Sequence, residues 1–372
     1  MPQIPTADLS EGMVFSEPVY VEGDNLLVPP RVPLRQKDID RLVRWEVEAV
    51  ETEGVVLTEE DLKRERESSV LGTQDNALED FYSERLERIA AIFRRVANGE
   101  EVEQEEVDAI GGELLQQVIS DRNAAVALIF SQPRTDNVLA IRSLNSTLIA
   151  LVVGLGLKLN SHRLMQLATG SLMHDVGMVQ VPAEILAKTD KLSDEELAKI
   201  RTHTLLGYQY LSKNMRYPED IAVMALQHHE KWDGSGYPRH LKGEEIKVSA
   251  RIITIADAYL AMVKDRPYRS SMIGYTAVKA ILGDNGSHFD PKILKGFLGS
   301  IGIFPVGSIV QLNDSSVGRV VSPNGDAPLR PRLELLVAAD GTRLESPQPL
   351  DLVERQKLFI AKAVDPREYA ES

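Results

Sequence analysis

Apolar residues recur every three to four positions through most of the middle of this 372-residue chain. FYSERLERIAAIFRRV places apolar side chains on one face and charges on the other, the pattern of an amphipathic helix. The same period runs through EEVDAIGGELLQQVIS, LNSTLIALVVGLGLKL, SHRLMQLATGSLMHDV, DEELAKIRTHTLLGYQYLSK, PEDIAVMALQHHEKW, ARIITIADAYLAMVK and IGYTAVKAILGD. These stretches predict an all-α domain. Ser193 stands where an N-cap belongs, ahead of an acid-rich first turn (Asp194, Glu195, Glu196), and Ser193 and Glu196 have capping-box spacing.

The two ends of the chain read differently. In residues 1–57, VFSEPVYVEG, NLLVPPRV and VEAVETEG are β-rich and punctuated by Pro and Gly, with a short helix predicted over Gln36–Trp45. The charged stretch LTEEDLKRERESSVLGTQDN then reads as a linker or an exposed helix. After about Ile301, SIVQLND, GRVVSPN, RLELLVAADG and KLFIAKAV are short strands of a small barrel-like β module. The expected fold is therefore multidomain and mainly α. A helical domain (130–300) follows a linker and helical segment (58–129), with a small α/β module ahead (1–57) and a β module behind (301–372).

Composition narrows the chemistry. With no cysteine, disulfides and thiolate sites are excluded, so any metal must use nitrogen and oxygen ligands. The formal charge of −14 argues against broad attraction to nucleic acid, which needs a positive surface. The most apolar stretch, Leu148–Leu157, is short for a bilayer span and carries two glycines, so it reads as a buried helix. The start, MPQIPTADLSEGM, lacks the basic and apolar regions of a secretory signal, so a cytoplasmic location with no membrane partner is expected.

Four of the seven histidines, His174, His203, His228 and His229, fall inside 56 residues of the predicted helical domain. Asp175 follows His174 directly, and Gly177 is suited to ending a helix there. Adjacent residues at a helix end can present both groups to one cavity. Imidazole with carboxylate suits zinc, manganese or iron, and a carboxylate can bridge two ions. Asp257 lies in the apolar stretch IITIADAYL, where burial calls for a cation, either a metal or a nearby Lys or Arg. DGSGYP (Asp233–Pro238) is a turn by composition, and DRPYR holds Arg266 and Arg269, spaced to grip phosphate oxygens or to form a salt-bridged loop.

Taken in order, HDVGM, THTLLGYQYL, HHEKWDGSGYP, IADAYLAMVKDRPYR and GSHFDP resemble the HD-GYP family of the HD-superfamily phosphohydrolases, over roughly residues 130–300. The resemblance implies a helical domain with a multinuclear metal centre that hydrolyses cyclic di-GMP to its linear dinucleotide or to GMP. It implies two divalent ions, iron or manganese, with zinc, nickel or magnesium as alternatives. His174 and Asp175 become the catalytic HD pair, with Asp175 bridging. His203, His228 and His229 hold one ion, Asp257 holds the other, and Tyr237, Arg266 and Arg269 contact the nucleotide. A protein partner at the GYP region and a homodimer are further expectations.

The chain departs from that family at four positions. Asn145 stands where a ligand histidine is usual, and its amide oxygen is a poorer ligand. Ile141 replaces a glutamate, so a third ion is not expected; Met178 replaces the lysine of HDxGK, and Leu260 a second aspartate. A working cyclic di-GMP phosphodiesterase with a weakened site is the leading expectation. The alternatives are a degenerate member that binds nucleotide or a protein partner, and a phosphohydrolase of another nucleotide.

Overall fold

The computed structural model describes residues 3–16, 19–21, 25–28, 34, 36–45, 47, 49–52, 54–57, 76–129, 137–188, 190–263, 274–283 and 286–364. The chain forms two compact units, Met1–Asn76 and Ala77–Ser372. In the first, β1 (Gln3–Pro5), β2 (Val14–Phe15), β3 (Val19–Val21) and β4 (Asn25–Val28) precede α1 (Gln36–Arg44), β5 (Ala49–Glu51) and β6 (Val56–Leu57). One antiparallel sheet runs β1-β5-β3-β4, and β2 pairs with β6. Ile39 and Leu42, three apart on α1, turn inward to join Phe15, Val19, Leu34 and Val50 in a small core. This is the small α/β module that the alternating pattern predicts.

The second unit is helical and then β. Its helices are α2 (Asn76–Ala97), α3 (Gln104–Ser120), α4 (Arg122–Leu128), α5 (Val138–Gly156), α6 (Ser161–Leu172), α7 (Ala183–Leu186), α8 (Asp194–Arg201), α9 (His203–Gln209), α10 (Glu219–Gln227), α11 (Val248–Val263), α12 (Gly274–Leu282) and α13 (Pro291–Ile301). Of the described helices, only α5 is long and apolar enough to cross a membrane, and 78% of its apolar window is buried. It packs against α3, α6, α11 and α13 at the centre of the core. Its apolarity is therefore accounted for by protein neighbours.

Local signals explain most boundaries. Ser193 and Glu196 form the expected capping box at α8. The periodic stretch DEELAKIRTHTLLGYQYLSK is not one helix: α8 stops at Arg201, α9 starts at His203, and a π turn follows over Tyr210–Asn214. Three described helices, α4, α7 and α13, lie outside the predicted stretches; α4 and α13 start at Asp121 and Asp290, whose side chains accept main-chain N–H groups. Pro291 opens α13 at a position where its missing N–H is harmless.

The C-terminal strands are β7 (Ile309–Leu312), β8 (Val317–Ser322), β9 (Arg332–Val337), β10 (Arg343–Asp351) and β11 (Ile360–Val364), antiparallel in the order β10-β9-β8-β7-β11. Among the described residues the sheet stays open between β10 and β11 rather than closing as a barrel. Strand β10 was not foreseen because it contains Pro347 and Pro349. Proline is tolerated there because β10 is an edge strand with a register shift.

Gly177 has a different role from the helix stop expected of it. It lies inside a 3-10 turn (Val176–Gln180), and a Cβ there would overlap the main-chain oxygen of His203 and the amide nitrogen of Gly207. Close backbone contact with α9 requires glycine. Gly177→Ala is expected to lower stability by about 1–3 kcal/mol, as overpacking against fixed backbone does. Urea unfolding checks it; an unchanged midpoint contradicts the contact.

Candidate metal centre

Three histidines follow the C-terminal ends of three helices. His174 lies two residues after α6, His203 two after α8 and His228 one after α10. The last turn of a helix leaves carbonyls with no intrahelical partner. Each histidine uses such a carbonyl three residues back, with Nδ1 2.6 Å from Ser171 O, 2.6 Å from Ile200 O and 2.9 Å from Ala225 O. A carbonyl only accepts, so in each neutral ring Nδ1 carries the hydrogen and Nε2 keeps its lone pair.

Those lone pairs converge. The Nε2 atoms of His203 and His228 are 3.3 Å apart, and each is 3.4 Å from Asp175 Oδ1. His174 Nε2 is 3.4 Å from the other carboxylate oxygen, Oδ2, and neither atom has a hydrogen-bond partner. His174, Asp175, His203 and His228 are all buried. Buried acceptors facing one another are mutually repulsive, so this arrangement calls for a cation. Three helix C-termini, each with partial negative charge, add to that field.

One ion fits. Ligand atoms of Asp175, His203, His228 and His229 all lie within 4.8 Å of one another, a nitrogen and oxygen set suited to a divalent transition metal. His229 is stacked on Tyr237, with ring centroids 4.7 Å apart, and Arg201 lies over the Tyr237 ring at 5.1 Å.

The other half of the expected two-ion centre fits poorly. Asp257, on α11, is held by Arg142, whose Nη2 lies 3.2 and 3.3 Å from its two oxygens and 3.7 Å from Asp175 Oδ2. The alternative partner considered for Asp257, a basic side chain, is therefore present. Asn145, the poorer ligand expected in place of a histidine, instead accepts the Tyr82 hydroxyl at its Oδ1 (2.9 Å), inside the core. The hydroxyl comes from α2, outside the motif region. Ile141 and Leu260 are buried in apolar packing. Arg266 and Arg269 lie outside the described residues.

The loop after His229 is fixed from beneath. Glu230, buried, accepts the main-chain N–H groups of Arg239 (2.7 Å) and Leu241 (3.1 Å). Gly236 packs so closely on His229, Glu230 and Lys231 that any side chain would collide with main chain. In GSHFDP, His288 faces Asp233 at 3.7 Å, and Asp290 pairs with Arg251 while capping α13.

Arg142, Arg201, Glu230 and Tyr82 were not read from the sequence as parts of the site. For Arg142 a signal existed, because it is the sole charge in VLAIRSLNSTLIALVVGLG, one turn before Asn145. For Tyr82 none did.

Comparison with known proteins agrees with this architecture. A family profile described as an HD domain matches residues 114–293, and one described as a KOW domain associated with HD domain matches residues 309–372. The chain is 29% identical to cyclic di-GMP phosphodiesterase PA4108 of Pseudomonas aeruginosa, over 72% of this chain and 63% of that protein. It is 29% identical to cyclic di-GMP phosphodiesterase PdeB of Borreliella burgdorferi, over 53% of this chain and 52% of that protein. The chain thus spans between half and two-thirds of the length of these two relatives. The solved structure of Bd1817, an HDG"Y"P protein from Bdellovibrio bacteriovorus, superposes with a TM-score of 0.51 at 16% identity, over 80% of this chain and 97% of its own, a likeness of fold.

The electrostatics predict a pH response of the metal-free protein. Burial, then His228 beside it, pushes His203 down to about 4, and the same two causes hold His229 well below the usual histidine range. At His174 burial acts against the charged form, but Asp175 beside it outweighs burial and raises the pKa. Unfolded histidines titrate near 6.5. Between about 6.5 and about 4 the unfolded chain binds protons that His203 and His229 refuse, so stability falls with falling pH, partly offset by His174. Chelator-treated wild type should lose more melting temperature from pH 7 to 4.5 than His203→Gln. Equal losses contradict the assignment.

Proposed function

We propose that the chain, whose residues 114–293 match an HD domain, is a metal-dependent phosphodiesterase of the HD-GYP type that hydrolyses cyclic di-GMP. The observation that carries this reading is the convergence of unprotonated Nε2 atoms on Asp175. A divalent ion bound there, with iron or manganese the best match, supplies Lewis acidity toward a phosphoryl oxygen and lowers the pKa of water.

The remaining work falls to the chain's own groups. Asp175 and the anchored imidazoles hold the centre rigid, and their backbone bonds keep the rings from turning. Burial sets the Tyr237 pKa higher still than an ordinary phenol's, with Asp175 adding to it, so its hydroxyl stays protonated and able to donate to a phosphate oxygen. Arg142, about a third exposed through its side chain, presents fixed positive charge beside Asp175 and Asp257. Arg266 and Arg269 are assigned the nucleotide phosphates. The product is the linear dinucleotide or GMP. The reading includes a division at 57/58, 129/130 and 300/301, a cytoplasmic location, homodimer formation and a partner surface at the GYP loop.

A second reading, binding without efficient turnover, is favoured by one observation. Met178 offers no cation where HDxGK ends, and Asn145 is committed to Tyr82, so less charge opposes that developing at phosphorus. One assay separates the two. Protein purified without oxygen and loaded with Fe(II) or Mn(II) is mixed with cyclic di-GMP, its linear product and 3'3'-cGAMP. The first reading expects turnover of cyclic di-GMP that falls by about 100-fold or more in His228→Ala. Tight binding without turnover supports the second, and hydrolysis of another dinucleotide alone replaces the substrate.

A further inference from the structure

We propose that Arg142 takes the place of a second metal ion, so that the centre holds one divalent ion per chain beside a fixed guanidinium. This rests on the metal reading above and sharpens it. Asp175 divides the site through its two oxygens. Oδ1 faces His203 and His228, and Oδ2 faces His174 and Arg142.

On the Oδ1 side four residues offer donors, and a catalytic transition-metal site usually takes three from protein. On the Oδ2 side only His174 Nε2 and Asp175 Oδ2 stand open, because both oxygens of Asp257 face Arg142. The α5 positions that should add ligands do not: Ile141 is apolar core, and Asn145 Oδ1 is bonded to Tyr82.

Charge points the same way. Two carboxylates face one guanidinium, so a single divalent ion leaves the cluster with one net positive charge, whereas a second would leave three in a largely buried space. A metal seated about 2.0–2.2 Å from the Asp257 and Asp175 oxygens would meet the guanidinium that already contacts both. Arg142 and a second ion compete for the same oxygens.

The test is metal counting on the full-length protein, purified without oxygen and saturated with Fe(II). Elemental analysis should give close to one ion per chain for wild type and for Arg142→Lys, and a rise toward two for Arg142→Ala. On partial oxidation, wild type should show no spin-coupled mixed-valence signal, and its iron-edge spectrum no iron–iron distance near 3.5–4 Å. Two ions in wild type, or such a coupled pair, overturn the proposal while leaving the metal reading intact. One ion in folded Arg142→Ala overturns the role assigned to Arg142. No iron in wild type overturns the metal reading itself. If Arg142→Ala does not fold, the wild-type spectra decide alone.

Discussion

The Nδ1–H···O=C bond from a histidine to the carbonyl three residues before it is the interaction on which this centre depends. It occurs at His174, His203 and His228, each time at a carbonyl that the end of a helix leaves over. The bond does two things at once: it satisfies a buried acceptor and fixes the tautomer. The consequence is a set of Nε2 lone pairs aimed at one carboxylate. Without a cation the arrangement is unfavourable; with one, His203 and His228 become ligands held in place by two helix ends, while the third holds His174 against the other carboxylate oxygen.

The surrounding fold serves that convergence. Helix α9 must start close to the turn carrying His174 and Asp175, and Gly177 allows it because no Cβ separates the two backbones. The loop beyond His229 lies flat on its own start because Gly236 has no side chain, while the Glu230 carboxylate gathers two amides further along. Beneath the site, the Thr254 hydroxyl on α11 donates to the His228 carbonyl. Helix α5, mainly apolar, brings one charge, Arg142, beside Asp257.

Helix periodicity was enough to place most elements and the metal-binding candidates, because amphipathic faces and adjacent HD and HH pairs are local properties of the chain. What escaped was decided by tertiary contacts. The break between α8 and α9 interrupts an unbroken periodic pattern, and it frees the carbonyl used by His203. Strand β10 hides behind two prolines that only an edge position permits. Asp257 reads from sequence as a carboxylate in need of a cation, and only the fold shows Arg142, over a hundred positions earlier, supplying it. Asn145 reads as a weakened ligand, and only the fold shows Tyr82 engaging its oxygen.

The centre that emerges is asymmetric, rich in ligands on one side of Asp175 and carrying an arginine on the other. The most direct test of the convergence is anomalous X-ray diffraction from crystals of the manganese-loaded protein, collected on both sides of the manganese edge. The account predicts a peak bounded by the Nε2 atoms of His203 and His228 and Oδ1 of Asp175, with every Nδ1 still on its carbonyl. A manganese peak elsewhere, or ligation through Nδ1 with those backbone bonds broken, would contradict it.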